Sequence, residues 1–277
     1  MVETPDAVKD GLAATLRGLR KNAGLTGERL GARCAMSQSK ISKIETGKIV
    51  PSTTDVERIL RALDVSSDVR SQVSALTSLA NAEFQTVRAL LRKGLDKKQS
   101  ELSSIEASTT DFRYFLPAMI ASLISTPEYI RASLAHIKGE TSKAVARKLD
   151  RQVVLYDTAK RFTFLLTESA ARWRVCPPLV MAAQLDRLAS LSYLPNVRLG
   201  IIPVPESPQR GPLNTFTVYD QSLVMAETFT GALMLRDPKD VAFHLELFDS
   251  FGTAARYDDE ARRLLASWAA AFRHADL

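Results

Sequence analysis

The chain has 277 residues, of which 45% are apolar and 25% charged, and its 37 Lys and Arg residues outnumber its 31 Asp and Glu residues by six. This composition excludes a disordered protein and predicts a globular chain of about two domains. The two cysteines, Cys34 and Cys176, form neither a disulfide framework nor a CxxC metal motif, which favours a reducing cytoplasm. The N-terminus lacks signal-peptide features, and the longest nearly uncharged stretch, residues 114–126, is too short to span a bilayer, so we expect no export and no membrane contact.

The excess positive charge is concentrated in one short segment. Residues 12–50 carry eight basic and two acidic side chains, a net charge of +6 that equals the excess of the whole chain. The basic residues are Arg17, Arg20, Lys21, Arg29, Arg33, Lys40, Lys43 and Lys48. A compact cationic segment predicts binding to a polyanion, because clustered Lys and Arg residues displace the counterions of phosphates. An ordinary solvated helix face is the alternative interpretation.

The same part of the chain predicts a bundle of short helices over residues 12–64. Apolar residues recur at helical spacing up to Ala23 and predict the first helix, which Gly24 is placed to end in a left-handed conformation. Three polar residues can cap the helices that follow: Thr26, Ser37 and Ser52. On the third helix Ile41 and Ile44 are expected to face the core, while polar residues face the opposite side.

Residues 16–63 resemble the Cro/repressor type of helix-turn-helix domain, the XRE family. The motifs that carry the resemblance, at the family's spacing, are Ala23-Gly24-Leu25, Leu30, Ser37, Ile41-Ser42-Lys43-Ile44-Glu45, Gly47 and Pro51. The resemblance implies that this domain binds double-stranded DNA. It also implies that the third helix enters the major groove, where its first residues and one a turn later read base edges.

Carried over to this chain, the family's pattern implies two sets of DNA contacts. The residues implied to face bases are Gln38, Ser39 and Lys43. The residues implied to contact phosphates are Arg17, Ser37, Lys40, Thr46 and Lys48. The side-chain chemistry agrees, because Gln can pair with adenine, Lys can donate to guanine, and Ser can serve either base.

The resemblance also implies structural roles and two departures. Arg20 and Glu45 match positions that pair as an internal salt bridge, and Cys34 matches a core position that serves packing. Gly27 stands where many members have a Gln that contacts phosphate, so we expect one DNA contact fewer. Ala35 replaces the usual turn Gly, which predicts a strained turn if φ is positive there.

Residues 65–98 are predicted to form a helical connector. Apolar residues step by three and four from Val69 to Leu91, which predicts one amphipathic helix, or two helices broken near Asn81. This stripe could pair with its copy in a dimer or pack on the C-terminal domain. Packing within the chain is favoured, because the pattern covers barely three heptads. The polar and charged stretch 92–104 is the best candidate for a linker.

Residues 99–277 are predicted to form an α+β domain with helices around a small β-sheet. Thr126-Pro127-Glu128 marks the start of a helix that leads to Ile137. Further helices are predicted over residues 145–156, 179–191, 241–251 and 258–272, and strands over 162–167, 197–204, 216–219 and 223–229. With the N-terminal helix-turn-helix bundle at residues 1–64, the predicted fold class is mainly α with an α+β C-terminal domain.

No catalytic or metal site is predicted. None of the histidines has the spacing of a metal ligand, and nucleophile-elbow, dinucleotide and P-loop motifs are absent from the sequence. The histidines are His136, His244 and His274. Acidic residues interpreted as helix caps or solvated side chains include Glu168, Asp186 and Asp237, and the residues interpreted as core are Trp173 and Trp268. We therefore expect no enzyme, no metal and no cofactor, although an apolar binding pocket would leave no motif.

The C-terminal sequence carries a second resemblance, to the actinobacterial WhiJ-like regulators, also called Scr1-type antitoxin-like regulators. The stretches that carry it are residues 115–134, 149–156, 162–175, 188–205 and 237–251. Regulators of this group are often paired with a small companion protein. The resemblance therefore implies that the C-terminal domain is a protein-interaction or sensing module.

These inferences together predict a cytoplasmic, sequence-specific DNA-binding transcriptional regulator, a repressor. Its C-terminal domain would dimerise and bind a small companion protein, and the two recognition helices of the homodimer would read a pseudo-palindromic operator. Two alternatives stay open from the sequence. One is an antitoxin-like protein that neutralises a small companion, and the other is a C-terminal domain that acts as an enzyme or as a receptor for a small molecule.

Overall fold

A computed structural model describes residues 5–86, 105–136, 140–204, 211–228 and 231–275 of the protein. The chain divides into two compact units. The first comprises Met1–Val87, Gln221–Val224 and Gly231–Phe243, and the second comprises Arg88–Asp220, Met225–Thr230 and His244–Leu277. The helical N-terminal region and the α+β region that follows it confirm the predicted fold class. Across the described residues no helix combines the length and apolar character needed to cross a membrane.

The first unit begins with a series of short helices that share one core. Their bounds are α1 Pro5–Asn22, α2 Gly27–Cys34, α3 Gln38–Glu45, α4 Thr53–Ala62 and α5 Ser67–Asn81. The predicted caps are confirmed, because the hydroxyls of Thr26, Ser37 and Ser52 each accept the backbone N–H three residues later. Gly24 has a φ of 66°, the left-handed conformation predicted after α1. The buried core residues include Leu12, Leu16, Leu30, Ile41, Ile44, Val56, Ile59, Leu60 and Val73.

The predicted connector helix packs on the bundle itself. Val73 and Ala80 of α5 are buried in the same core as α1 and α4, and Val69 and Leu76 pack against that core. Packing within the chain was therefore predicted correctly, but these α5 residues pack into the helical bundle, a surface that the prediction did not name. The predicted domain boundaries at residues 64 and 98 stay predictions.

The stretch after α5 differs from the prediction. α5 ends at Asn81, where the prediction allowed a break, but β1 follows at once over Ala82–Thr86, so the expectation of a helix in these residues was wrong. β1 pairs in antiparallel fashion with β7, Gly231–Leu235, in a register that places Ala82 opposite Leu235. The pairing with a segment this distant in sequence could not be predicted from the local pattern. The predicted linker 92–104 and the stripe residues Val87 and Leu91 lie outside the described residues.

A carboxylate from far along the sequence joins the helices of the first unit. Asp237, only 2% exposed, accepts the Thr53 N–H at 2.8 Å and the Thr53 hydroxyl at 3.0 Å. It also accepts the N–H of Lys239 at 2.9 Å, at the start of α10, Pro238–Thr253. The Lys239 ammonium in turn pairs with Glu57 at 2.6 Å. Asp237 is thus a helix cap, one of the two predicted roles, and it serves the beginnings of both α4 and α10.

We expect Asp237→Ala to destabilise the first unit by about 2 kcal/mol, because backbone N–H donors at two helix starts lose their buried acceptor. Glu57→Ala is the matched control, since it removes only the exposed ion pair with Lys239 and should leave the unfolding midpoint nearly unchanged. Thermal and urea denaturation of the full chain would measure both variants. Equal midpoints for the two variants would contradict the structural role of Asp237.

The second unit is built around a mixed sheet. Its strands β2 Asp111–Leu116, β3 Arg161–Thr167, β4 Val197–Ile202 and β5 Phe216–Tyr219 lie in the order β5-β2-β3-β4. β2, β3 and β4 are parallel, and β5 is antiparallel to β2. β6 follows over Leu223–Thr228. The helices are α6 Pro127–Ser133, α7 Ser142–Asp150, α8 Glu168–Arg172, α9 Pro178–Leu191, α10 and α11 Asp258–His274, with 3-10 turns at Ser122–Ile124 and Arg151–Tyr156.

Several predicted elements of this region are present with changed ends. The helix capped by Thr126 ends at Ser133, short of the predicted Ile137, which lies outside the described residues. The helix predicted to run through residue 156 becomes a 3-10 turn at Arg151. The core assignment of Trp173 was wrong, because its side chain is 66% exposed, whereas Trp268 is buried.

Candidate nucleic-acid interface

The turn between α2 and α3 sets the angle of the second helix. Ala35 has φ 53° and ψ 45°, which is the left-handed conformation. This is the turn position where the family usually has Gly, and the Cβ of an alanine is strained there. The Met36 N–H donates to the Gly31 carbonyl at 2.8 Å and closes the turn. A Cβ on Gly31 would lie 2.7 Å from the Met36 oxygen, so only glycine fits this close approach. The strain predicted for Ala35 is thus present.

We expect Ala35→Gly to stabilise the first unit by about 0.5–1 kcal/mol, because relief of the left-handed strain exceeds the added entropy of the unfolded chain. Ala32→Gly, at an exposed helical position of α2, is the control and should destabilise by about 1 kcal/mol. Urea denaturation of the two variants would measure the change in the free energy of unfolding for each. A loss of stability in Ala35→Gly equal to that of the control would contradict the strain.

The helix α3 presents a polar edge to solvent. Ser37 caps it through the Lys40 N–H at 3.1 Å, while Ile41 and Ile44 anchor its inner face in the core. The side chains that face outward are Gln38, Ser39, Ser42, Lys43 and Thr46, all exposed. The three residues predicted to face bases therefore share one accessible edge that begins at the helix N-terminus. That edge offers amide, hydroxyl and ammonium groups to a ligand.

The five residues predicted to contact phosphate are placed differently from one another. Arg17 and Lys48 are exposed. The Ser37 hydroxyl is occupied as the cap acceptor, and the Thr46 hydroxyl donates to the Ser42 carbonyl at 2.8 Å. An open cavity beside α3 is lined by Arg17 and Thr46 together with Lys21, so two cations flank the end of the helix.

Lys40 differs from the other cations because its charge is compensated. Its ammonium lies 2.8 Å from the Asp55 carboxylate, which is 14% exposed. Asp55 also donates its N–H to the Ser52 cap, so it is fixed in the first turn of α4. Sequence reasoning missed this pair. The spacing Ser52-x-x-Asp55 is a capping-box pattern that could have placed Asp55, but it could not have indicated Lys40 as its partner.

Arg20 and Glu45 form a two-pronged ion pair between α1 and the end of α3. The Arg20 Nε donates to Oε1 at 2.6 Å and Nη2 donates to Oε2 at 2.8 Å, with the side chains 14% and 9% exposed. Nη1 donates to the Leu25 carbonyl at 2.7 Å. The hydrogen bonds with Glu45 raise the pKa of Arg20, so its charge is held by this network. Arg20 is therefore not available to a polyanion.

The basic segment keeps six cations without an acidic partner among the described residues. They are Arg17, Lys21, Arg29, Arg33, Lys43 and Lys48, and all six are exposed. Cys34 is buried in the core, its thiol 3.7 Å from the Arg58 carbonyl, and burial raises the pKa of this thiol. The chemistry available at the surface is thus electrostatic attraction and hydrogen bonding, two of the means by which proteins recognise nucleic acid.

A capped helix that follows a tight turn within a helical bundle defines a helix-turn-helix domain, a class of domain that binds DNA. In agreement, the family profile described as a helix-turn-helix domain matches residues 12–73. A second profile, described as a domain of unknown function (DUF5753), matches residues 99–267, which is more than half of the chain. The protein belongs to the DUF5753 family.

Comparison with curated proteins gave no match. Among solved structures, Nuc from Salmonella typhimurium, a phospholipase D family member, is 13% identical with a TM-score of 0.35, over 64% of this chain and 97% of its own. NucT from Helicobacter pylori is 10% identical with a TM-score of 0.37, over 64% and 98%. The archaeal chromatin protein TrmBL2 is 11% identical with a TM-score of 0.31, over 73% and 66%. Similarities this low do not establish a shared fold.

Proposed function

We propose that the protein is a sequence-specific DNA-binding transcriptional repressor that acts in the cytoplasm. We further propose that its N-terminal helix-turn-helix domain, called the head below, is of the Cro/repressor (XRE) type. The C-terminal region is then of the WhiJ-like, Scr1-type group. The observation that carries the proposal is the exposed edge of α3 with Gln38, Ser39 and Lys43, in a domain where Lys43 is one of six exposed cations without an acidic partner among the described residues.

Recognition in this proposal combines base contacts with phosphate contacts. α3 enters the major groove, where Gln38 pairs with adenine, Lys43 donates to guanine, and Ser39 serves either base. Arg17 and Lys48 contact phosphates by charge, joined by the Ser37 and Thr46 segments that flank the helix. Lys40 adds its charge only at the expense of its ion pair with Asp55.

The proposed repressor is a homodimer. A single head has few base contacts, and it lacks both the family's phosphate contact at Gly27 and the full charge of Lys40. Two heads related by a two-fold axis would bind successive major grooves roughly 34 Å apart and read a pseudo-palindromic operator. Occupancy of that site would block access of other proteins to a promoter.

The signal in this proposal comes from a small companion protein bound by the C-terminal region. The support is the resemblance of residues 99–277 to regulators that are paired with such a companion. Binding would shift the population of dimers toward heads with a different spacing or mobility. Co-purification with the product of an adjacent gene tests this part, and absence of any complex at micromolar concentrations would contradict it.

Sequencing of the genomic fragments that the full chain retains, followed by footprinting, tests the DNA-binding function. We expect a protected site with two half-sites about one helical turn apart, including one upstream of the protein's own gene. A reporter placed downstream should lose expression when the protein is present. Retention of fragments without any common sequence would contradict specific recognition, and a monomer bound to a single half-site would contradict the dimer.

A further inference from the structure

A cavity of about 400 Å³ opens in the second unit at the beginnings of β2, β3 and β4. One wall is the sheet face that carries Arg113, Thr163 and Arg198, and the other includes Asp249 and Tyr257. The volume falls in the range of small-molecule sites, and the lining is polar. None of these residues belongs to the helix-turn-helix domain, so the cavity has no role in the proposed contact with DNA.

The strand register brings three guanidinium groups to this cavity. Arg113 on β2 lies opposite Thr163 on β3, which lies opposite Arg198 on β4, and Arg161 on β3 lies opposite Asp111. Residues directly opposite one another share a face, and neighbouring strands are separated by roughly 5 Å. Arg113 and Arg198 therefore begin about 10 Å apart with Arg161 between their strands, a spacing that suits one small ligand.

The three arginines differ in how their charge is compensated. Arg113 lies 3.2 Å from the Asp111 carboxylate. Arg198 stacks on Tyr257, 4.0 Å from the ring centroid, and Arg161 forms no side-chain hydrogen bond or ion pair with any described residue. Neither Arg161 nor Arg198 has an ion pair with a described carboxylate, and the three arginines of the lining outnumber its two carboxylates, Asp111 and Asp249, so the cavity keeps a positive charge that attracts an anion.

Tyr257 fixes one of these two cations in place. Its hydroxyl donates to the Gly252 carbonyl at 3.2 Å, which holds the ring at the cavity wall. The ring lies over Gly200, where a Cβ would come within 2.7 Å of the Tyr257 Cε1. Glycine at this strand position therefore admits the ring, and the ring orients the guanidinium of Arg198. A cationic side chain that is oriented before binding loses little conformational entropy when it binds an anion.

We propose that this cavity binds a small molecule that carries a carboxylate or phosphate group. Arg161 and Arg198 hold the oxyanion, because planar guanidinium groups donate paired hydrogen bonds to two oxygens. Thr163 follows Arg161 on the same face of β3, opposite Arg198, and adds a hydroxyl donor. Asp249 faces the polar remainder of the ligand, which favours a hydroxyl or amine there. The volume of about 400 Å³ is that of a small-molecule site, which favours a small molecule over a polyanion.

Isothermal titration of the full chain with citrate and with inorganic phosphate, each in chloride buffer of matched ionic strength, tests the proposal. We expect saturable binding of at least one probe, weakened about tenfold or more in Arg161→Gln and in Arg198→Gln. Arg161→Lys keeps the charge but loses the paired donors of the guanidinium group, so its affinity should fall between those of the parent and Arg161→Gln. Preference for citrate or for phosphate identifies the anionic group.

The matched control is Arg174→Gln, which removes the same charge from an exposed site of the same unit with no ion pair among the described residues. Its affinity should match the parent within about twofold, since it lies outside the cavity. Binding lost equally in Arg174→Gln and Arg161→Gln would overturn the proposal. So would binding of heparin alone, or no saturable binding of either probe in the millimolar range. The result does not depend on DNA binding.

Discussion

The double variant Gln38→Ala/Lys43→Ala should lose specific DNA binding. Each good contact between a side chain and a base edge contributes about 1–3 kcal/mol, so loss of two should weaken operator affinity by about 30-fold or more. Both side chains are exposed and the core residues Ile41 and Ile44 are untouched, so the fold is retained. Fluorescence anisotropy at fixed salt, with the footprinted operator and a scrambled duplex, would measure the change.

Comparison of the operator with the scrambled duplex separates the recognition of bases from the general electrostatic attraction to DNA. Loss of Lys43 also removes one cation, which weakens binding to any DNA. The control Arg70→Ala/Gln72→Ala removes the same residue chemistry and charge from the exposed surface of α5 in the same unit. The α3 variant should lower the ratio of operator to scrambled affinity, whereas the α5 variant should leave that ratio unchanged. Equal ratios in both variants would contradict α3 as the recognition helix.

The helix-turn-helix was predictable because its signals are local. A cap acts on the N–H three residues later, and a glycine such as Gly24 ends a helix through its own φ, so each signal lies within one turn of the element it defines. The exposure of Gln38 and Lys43 follows from the same helical period that buries Ile41 and Ile44. Family likeness then added the expectation of base contacts.

Contacts between distant segments were not predictable in the same way. Lys40 was expected to be a free cation, and only the fold brings the Asp55 carboxylate to it. Asp237 could be recognised as a cap candidate, but not as the partner of Thr53 at the start of another helix. Each such pair depends on tertiary packing, for which one sequence contains no spacing rule.

The missed strands have two different causes. β1 has only five residues and follows α5 directly, so its apolar Phe84 continues the spacing of the helical stripe, and its pairing with the distant β7 has no local signal. β2 did have a signal, because Asp111 and Arg113 alternate with the buried Phe112 and Tyr114. That alternation is typical of a strand with one polar face, and it marks the same face that lines the cavity with Arg113. Here a functional candidate and a structural element were overlooked together.

Removal of the Arg20 side chain should be among the most destabilising single changes in the first unit. Arg20→Ala leaves the Glu45 carboxylate, 9% exposed, without its partner and deprives the Leu25 carbonyl of a donor. The expected loss is about 3 kcal/mol, which lowers the melting temperature of a domain of this size by roughly 10 °C or more. Arg20→Leu combined with Glu45→Leu should recover part of the loss, because no unpaired charge remains.

A role in stability and a role in DNA contact make opposite predictions for this pair. If Arg20 serves only the fold, Arg20→Ala measured well below its melting temperature should bind the operator within a few-fold of the parent, and Glu45→Gln should lower stability without a gain in affinity. If Arg20 instead reached a phosphate, its loss would weaken binding at unchanged stability, and Glu45→Gln would strengthen binding by removing a negative charge. The network of Arg20, Glu45 and Leu25 favours the first outcome, since it occupies donors on both sides of the guanidinium group.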